Sequence, residues 1–423
     1  MSRIRSLSRT RLAVVVAALV GLSVTGAVAS AALGGAETPP PRPLAEAIHR
    51  AATAPPPAGV SARVEFANRL LPAGALPEGE APPLLAGASG RLWARPDGRF
   101  RLELQSRHGD AQVASDGRSL TVYDASSKTV YRAEMPQGDD RGDKRGGPFG
   151  DRRDGKDRRD DRRGPPTVAE IERKLAELTE KVELSAARPE SRAGRPAYSV
   201  RVAPRNDGGL LGAAEVAWDA VRGVPLRAAI YAQGEAEPVL DLAVTEVSYE
   251  AVPLSEVAVE PPAGTRLVRV EPPRGERGDR DERPGAKDRD RGVTGLSAVR
   301  KALPFELAAP DKLAGLPRRE VRLIDHGGRP GALVVYGRGL GAIAVVEQPA
   351  ERPGAPGARP DGRGEGPESE LRGLPQISVE GATGTELATA LGTLIRFERD
   401  GVAYVVAGSV PPVAAEIAAR ELR

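Results

Sequence analysis

Cysteine is absent from the 423 residues. That excludes a disulfide framework, thiolate zinc sites, iron–sulfur clusters, thiol catalysis and a lipidated N-terminal cysteine. Core packing alone must hold the fold. Aromatic residues make up only 3% of the chain, too few for a base-stacking platform. No sign of charge dominates: 61 Lys and Arg stand against 58 Asp and Glu, so no nucleic-acid partner is expected. Motif chemistry is equally sparse. There is no G-x-S-x-G elbow and no H-E-x-x-H pair. "GRGLGA" (337–342) precedes a strand rather than a helix, so it reads as a glycine-rich hairpin turn and not as a dinucleotide loop. The three histidines, His49, His108 and His326, are scattered, His49 on a helix face without a ligand partner and the others beside turn glycines. Carboxylates outside the charged linkers fall on strand and helix faces. The expectation is a protein without cofactor, metal or catalytic residues.

What is present begins with the N-terminus. "MSRIRSLSRTR" is basic, "LAVVVAALVGLSVTGAVASAAL" carries no charge, and a Pro-rich stretch follows. This is the layout of a secretory signal with Ala27-Val28-Ala29 as its cleavage site, or of an uncleaved membrane anchor, over residues 1–35. Either places the rest of the chain outside the cytoplasm, secreted, periplasmic or anchored to the outer face of the cytoplasmic membrane. Gly (49) and Pro (39) are abundant. Together with runs of Arg and Asp they mark 136–166, 272–293 and 350–370 as disordered segments without an apolar period. Arg141-Gly142-Asp143 and Arg277-Gly278-Asp279 lie in such runs, where the triplet arises by composition. The 136–166 segment reads as a solvated tether.

Two folded regions remain, 43–271 and 294–423. In the first, "PLAEAIHRAATA" predicts a short helix with Leu44 and Ile48 on one face. Val60, Ala62, Val64 and Phe66 alternate as in a strand. Pro96-Asp97-Gly98 predicts a hairpin, with Leu92 and Ala94 before it and Phe100, Leu102 and Leu104 after it on one face. Asp116-Gly117 turns into a strand with Leu120 and Val122 inward. Thr167 and Glu170 form a capping box for a helix with the stripe Val168, Ile171, Leu175, Leu178, Val182. Val216 and Trp218 align, as do Leu226, Ala228 and Ile230, and Leu240, Leu242 and Val244. The phase then slips to Val247 and Tyr249, which predicts a bulge near Thr245. Trp93 falls on the opposite face, as a cation–π surface patch or a contact with the second region. The second region reads as a smaller antiparallel α+β domain. Its last helix starts after Ser409 as N-cap, with Pro411 in the first turn.

Arg95-Pro96 before Arg99-Phe100-Arg101, Asp116-Gly117 before Tyr123-Asp124, Val130-Tyr131, and "PPAGT" (261–265) after the closing hairpins give the run over roughly 43–270 its character. In this order and spacing it resembles the LolA-like superfamily, outer-membrane lipoprotein carriers and the related MucB/RseB envelope-stress regulators. The resemblance implies an α+β fold: a curved antiparallel half-barrel sheet with helices in its mouth, whose cavity receives acyl chains. It would place Val64, Phe66, Leu92, Leu102, Leu104, Leu120, Val122, Trp218, Leu226, Ile230 and Leu242 on the cavity wall; read as strands alone, the same positions are also plain core. The implied partners are lipid or lipoprotein acyl chains. The alternative is a sensor whose second region contacts a membrane-bound anti-sigma factor or another envelope protein, a layout unlike that of the simple carriers.

Overall fold

The Pro96-Asp97-Gly98 turn forms as its residues dictate. Gly98 takes φ +82°, Asp97 accepts the amide of Arg99, and the hairpin closes through Arg95 and Arg99 at 2.9 Å. In the computed structural model of the protein, the described residues are 38–72, 87–107, 109–125, 128–134, 165–205, 208–258, 263–270, 293–325, 329–350 and 374–423. The expectations for residues 1–35, for His108 and His326, and for all but the end residues of the three charged segments lie outside them.

The first sheet begins with β1 (Val60–Asn68), β2 (Ala88–Ala94), β3 (Arg99–Ser106), β4 (Gly109–Asp116), β5 (Ser119–Asp124) and β6 (Thr129–Glu134), a meander in sequence order. On the other side of β1 stand β12 (Pro238–Ser248), β11 (Pro225–Ala232), β10 (Leu211–Asp219) and β9 (Arg195–Pro204), edged by β7 (Val182–Leu184) and β8 (Arg188–Arg192). A last strand, β13 (Arg266–Val270), pairs parallel with β6; the other pairs are antiparallel. The first strand is thus the seam between two meanders.

Period-2 alternation aligns one apolar row across six strands: Val122, Val113, Leu102, Leu92, Ala62 and Val247 stand opposite one another in turn. The bulge foreseen at Thr245 is present. Arg63 faces Glu246 but Val64 faces Val244, so the extra residue returns both Val244 and Val247 to the inner face. Gly90 sits in the next row, opposite Leu104 and Val64. A Cβ there would lie 1.8 Å from the Glu103 carbonyl oxygen. Gly90→Ala should therefore cost about 1–3 kcal/mol of stability, read as a lowered urea midpoint.

Helix α1 (Leu44–Thr53) packs Leu44, Ala47, Ile48 and Ala51 on Tyr198, Val200 and Trp218. Helix α2 (Val168–Thr179) has the foreseen capping box, with Thr167 accepting from the Glu170 amide and Glu170 from the Thr167 amide. His49 on α1 donates from Nδ1 to the Pro166 carbonyl at 2.8 Å, tying α1 to the start of α2. The helical stripe ends sooner than its spacing suggests: Val182 lies in β7, and Leu178 is exposed. A one-turn helix, α3 (Leu254–Val257), follows β12.

The second sheet has β14 (Lys312–Leu313), β15 (Leu316–Asp325), β16 (Pro330–Tyr336), β17 (Ile343–Pro349), β21 (Val402–Gly408), β20 (Gly392–Arg399), β19 (Ala382–Thr389) and β18 (Gln376–Val379), in that spatial order. "GRGLGA" is the turn of the β16–β17 hairpin, as read from its glycines. Helices α4 (Leu296–Ala302) and α5 (Pro412–Glu421) close the core with Val299, Ala415, Ala418, Ala419 and Leu422. Pro411 is the N-cap of α5, not Ser409. Ser409 instead joins the sheets: its carbonyl and its Oγ each accept the Leu210 amide at 3.0 Å, and Ala390 donates to the Leu70 carbonyl at 2.8 Å.

Candidate functional site

The inner face of the first sheet holds a cavity of about 70 Å³, lined from β1 by Val60, Ala62 and Val64, from β2 by Leu92 and Ala94, and from β3 by Leu102. From the other meander come Val224 through Ala228, Leu242, Val244 and Val247. Five neighbouring strands, β3-β2-β1-β12-β11, span about 19 Å at the usual strand spacing. A flat sheet would lay their side chains along a plane; a shared cavity means that this face is concave. Small residues make the room. Ala62, Ala94 and Ala228 stand where larger side chains would meet across the curve.

The wall is not sealed. Val60, Leu92, Leu242, Val244 and Val247 remain only half-buried, whereas Leu102 and Val64 are fully buried behind them. Among the described residues of the lining, the one charged residue, Arg227, is committed to the opposite face. Its guanidinium donates to both oxygens of Asp241 at 2.8 Å and to Glu215. The bidentate bond to Asp241 holds the Arg227 pKa above its ordinary value. The groove is therefore apolar in chemistry.

Of the residues assigned to the wall from sequence, Val64, Leu92, Leu102, Leu226 and Leu242 line the cavity. Phe66, Leu104, Leu120 and Val122 belong to the same apolar cluster beyond its edge. Trp218 lies under α1 against Tyr198, ring centroids 6.2 Å apart; the helix, not a cavity, covers it. Ile230 pairs with Leu240 and Ala214, outside the lining. Among the described residues, no helical one is in the lining. Trp93 stacks under the Arg101 guanidinium, 5.6 Å from the ring centroid. This is the cation–π patch foreseen, formed with its cross-strand partner. Sequence alignment of the strands named Val60, Ala62, Ala94, Ala228, Val244 and Val247 as inward, yet did not mark them as wall. Their signal was smallness on an inward face.

No family model and no curated protein sequence matches the chain. The solved structures it resembles include MucB. A crystal structure of MucB in complex with MucA(peri) is 16% identical, with TM-score 0.38, over 86% of this chain and 93% of that one. MucB alone is 14% identical, with TM-score 0.35, over 88% and 95%. An uncharacterized conserved protein from Thermus thermophilus is 13% identical, with TM-score 0.31, over 53% of this chain and 98% of that one. These likenesses are remote, and the groove stands on its own geometry.

At one end of the sheet, outside the lining of the cavity, stands a second arrangement. Tyr249 donates its hydroxyl to Asp219 Oδ2 at 2.6 Å. Asp219 Oδ1 accepts the amides of Val221 and Arg222, fixing the β10–β11 turn. The guanidinium carbons of Arg195 and Arg222 each lie 5.1 Å from the Tyr249 ring centroid. Burial, and then the charge of Asp219, push the phenol pKa well above its ordinary value.

Proposed function

We propose that the chain is a binding protein, not an enzyme, that holds acyl chains of lipids or lipoproteins in the concave face of its first sheet, outside the cytoplasm. The observation that carries this is the unsealed apolar wall: half-buried Val60, Leu92, Leu242, Val244 and Val247 around a cavity shared by five strands. Each CH₂ moved from water onto it contributes about 0.8 kcal/mol. In this reading residues 43–271 form the binding domain and 294–423 an accessory domain, with α1 flanking the mouth. Native mass spectrometry of protein from a lipid-containing host should show a co-purifying acylated species. A clean apo mass, together with no uptake on titration with palmitate, would refute the reading.

A second reading, a regulator that reports groove occupancy to a membrane-bound anti-sigma factor or other envelope protein, draws on the Leu210–Ser409 and Ala390–Leu70 bonds between the sheets. It expects hydrogen exchange at the Leu210 and Ala390 amides to change when palmitate binds. A simple carrier expects those two amides to exchange at the same rate with and without it.

A further inference from the structure

The second sheet carries apolar residues on both faces. Along β16, β17 and β21, buried Val334, Val345 and Val406 alternate with half-buried Val335, Val346 and Val405. The buried set forms the core closed by α4 and α5. The other set lies on the opposite, outer face, in two rows. Leu333, Val346 and Val405 stand side by side, and Val335, Ala344 and Ala407 form the next row. Among the described residues these six pack into none of the buried cores. The approaches to the first sheet, Gly209 to Leu340, Leu70 to Ala390 and Leu210 to Ser409, fall in turns beyond the ends of these strands. A solvated sheet face carries polar side chains, as Glu215, Arg227 and Asp241 do on the first sheet. A contiguous apolar face marks a place where another layer packs.

Charge, shape and area decide what that layer is. The charges beside the rows come in both signs: Glu320 with Arg322 on β15, and Arg396 with Glu398 on β20, each pair bridged within its strand. Such neutral pairs give no advantage to an anionic membrane or a strongly charged chain. They suit a surface with the same pattern. Arg322 stands opposite Leu333, and Glu320 opposite Val335, so at β15 the first row ends in a cation and the second in an anion. A two-fold axis lying between two such faces, across the strands and between the rows, sets each row on the other row of the second copy. Arg322 then meets the partner's Glu320, Val346 the partner's Ala344, and Val405 the partner's Ala407. The contacts are large over small, as interdigitating sheets require, and each occurs twice. The six strands from β15 to β19 in spatial order span about 29 Å, and seven residues of strand about 24 Å. That is a face of about 700 Å², close to the roughly 800 Å² per partner of a stable interface.

We propose that this outer face is the interface of a homodimer, in which two copies of the chain pack their second sheets face to face about that two-fold axis. Burial of the two apolar rows supplies the affinity, and the Arg322–Glu320 contacts at both ends fix the register. The groove, whose lining belongs to the first sheet, has no part in it.

Sedimentation equilibrium of the full chain should give twice the chain mass at about 10–100 μM. Val405→Glu, which sets a carboxylate in the middle of the apolar rows, should give the single-chain mass. Arg322→Glu alters an exposed side chain. It should weaken association at least about tenfold, because carboxylate then meets carboxylate at both ends of the interface, and adding Glu320→Arg should restore it. A monomer at every concentration would overturn the homodimer. So would a dimer that Val405→Glu leaves intact, since association would then use another surface, and so would a dimer indifferent to Arg322→Glu. A monomer that floats with phosphatidylcholine vesicles, and no longer does so as Val405→Glu, would give the face to a lipid surface instead. The charge-reversal variants decide even if Val405→Glu does not fold.

Discussion

An Ala228→Trp variant should stay folded, with a melting temperature lowered by overpacking of about 1–3 kcal/mol, and take up acyl chains about a hundredfold more weakly than the unaltered protein. Ala228 lines the cavity and is half-buried, with Val216 and Leu242 as its cross-strand neighbours. An indole at that position fills space that a tail would otherwise occupy. Excluding about four methylenes at 0.8 kcal/mol each removes roughly 3 kcal/mol of binding, which is about two powers of ten. Fluorescent fatty-acid displacement gives the affinity and calorimetry the melting temperature. Unchanged uptake in a folded variant would mean that ligands bind elsewhere. Leu102→Ala on the same wall should do the reverse, destabilising the fold by about 2–5 kcal/mol because Leu102 is fully buried.

The largest expected effect on stability lies in the second sheet and depends on pH. Glu347 on β17 is fully buried. One carboxylate oxygen accepts the Ala308 amide at 2.9 Å, and the other has no hydrogen-bond partner among the described residues. Burial pushes its pKa up to about 8, against the opposing pull of the Ala308 amide and of Arg399 and Arg300. The folded state therefore keeps a proton that the unfolded chain releases near pH 4.5. Stability from this group is complete below about pH 4.5 and is lost as pH rises toward about 8, by roughly 3–5 kcal/mol in all. Glu386, raised by burial and by Glu416, acts in the same direction. Asp97 and Asp116 are lowered below 3.8 and act only at more acid pH. Glu347→Gln keeps an acceptor for Ala308 without the charge. It should flatten most of the decline in melting temperature between pH 5 and pH 8. A wild-type profile already flat over that range would contradict this account of Glu347.

Much of this was legible in the chain because alternation reports face. The row from Val122 to Val247, the Pro96-Asp97-Gly98 hairpin, the bulge at Thr245 and the Thr167–Glu170 box each follow from local chemistry. Elements without an apolar rhythm were not visible. β8 is "RPESR", β19 is "ATGTELAT", and β14 has two residues; each is a strand because a neighbour pairs with it. Trp218 shows the limit for the site. Its face was right, but no local signal told that α1 would lie over it. Ser409 shows another: a serine before prolines fits a cap, and only the tertiary fold gives its oxygens the Leu210 amide. The arginines at Tyr249 were invisible for the same reason, since 195, 222 and 249 meet only through the sheet.

Because the chain has no cysteine, a single introduced thiol can report on the groove directly. Ala228→Cys places one on the cavity wall, and Glu246→Cys places one on an exposed site of β12. The rate of alkylation by a small apolar maleimide should fall more than about tenfold at Ala228→Cys when palmitate is added, in line with burial of the tail over that wall, and should not change at Glu246→Cys. A thiol at Ala228→Cys that never reacts, or one that reacts as fast with palmitate as without it, would contradict an open groove that takes up acyl chains.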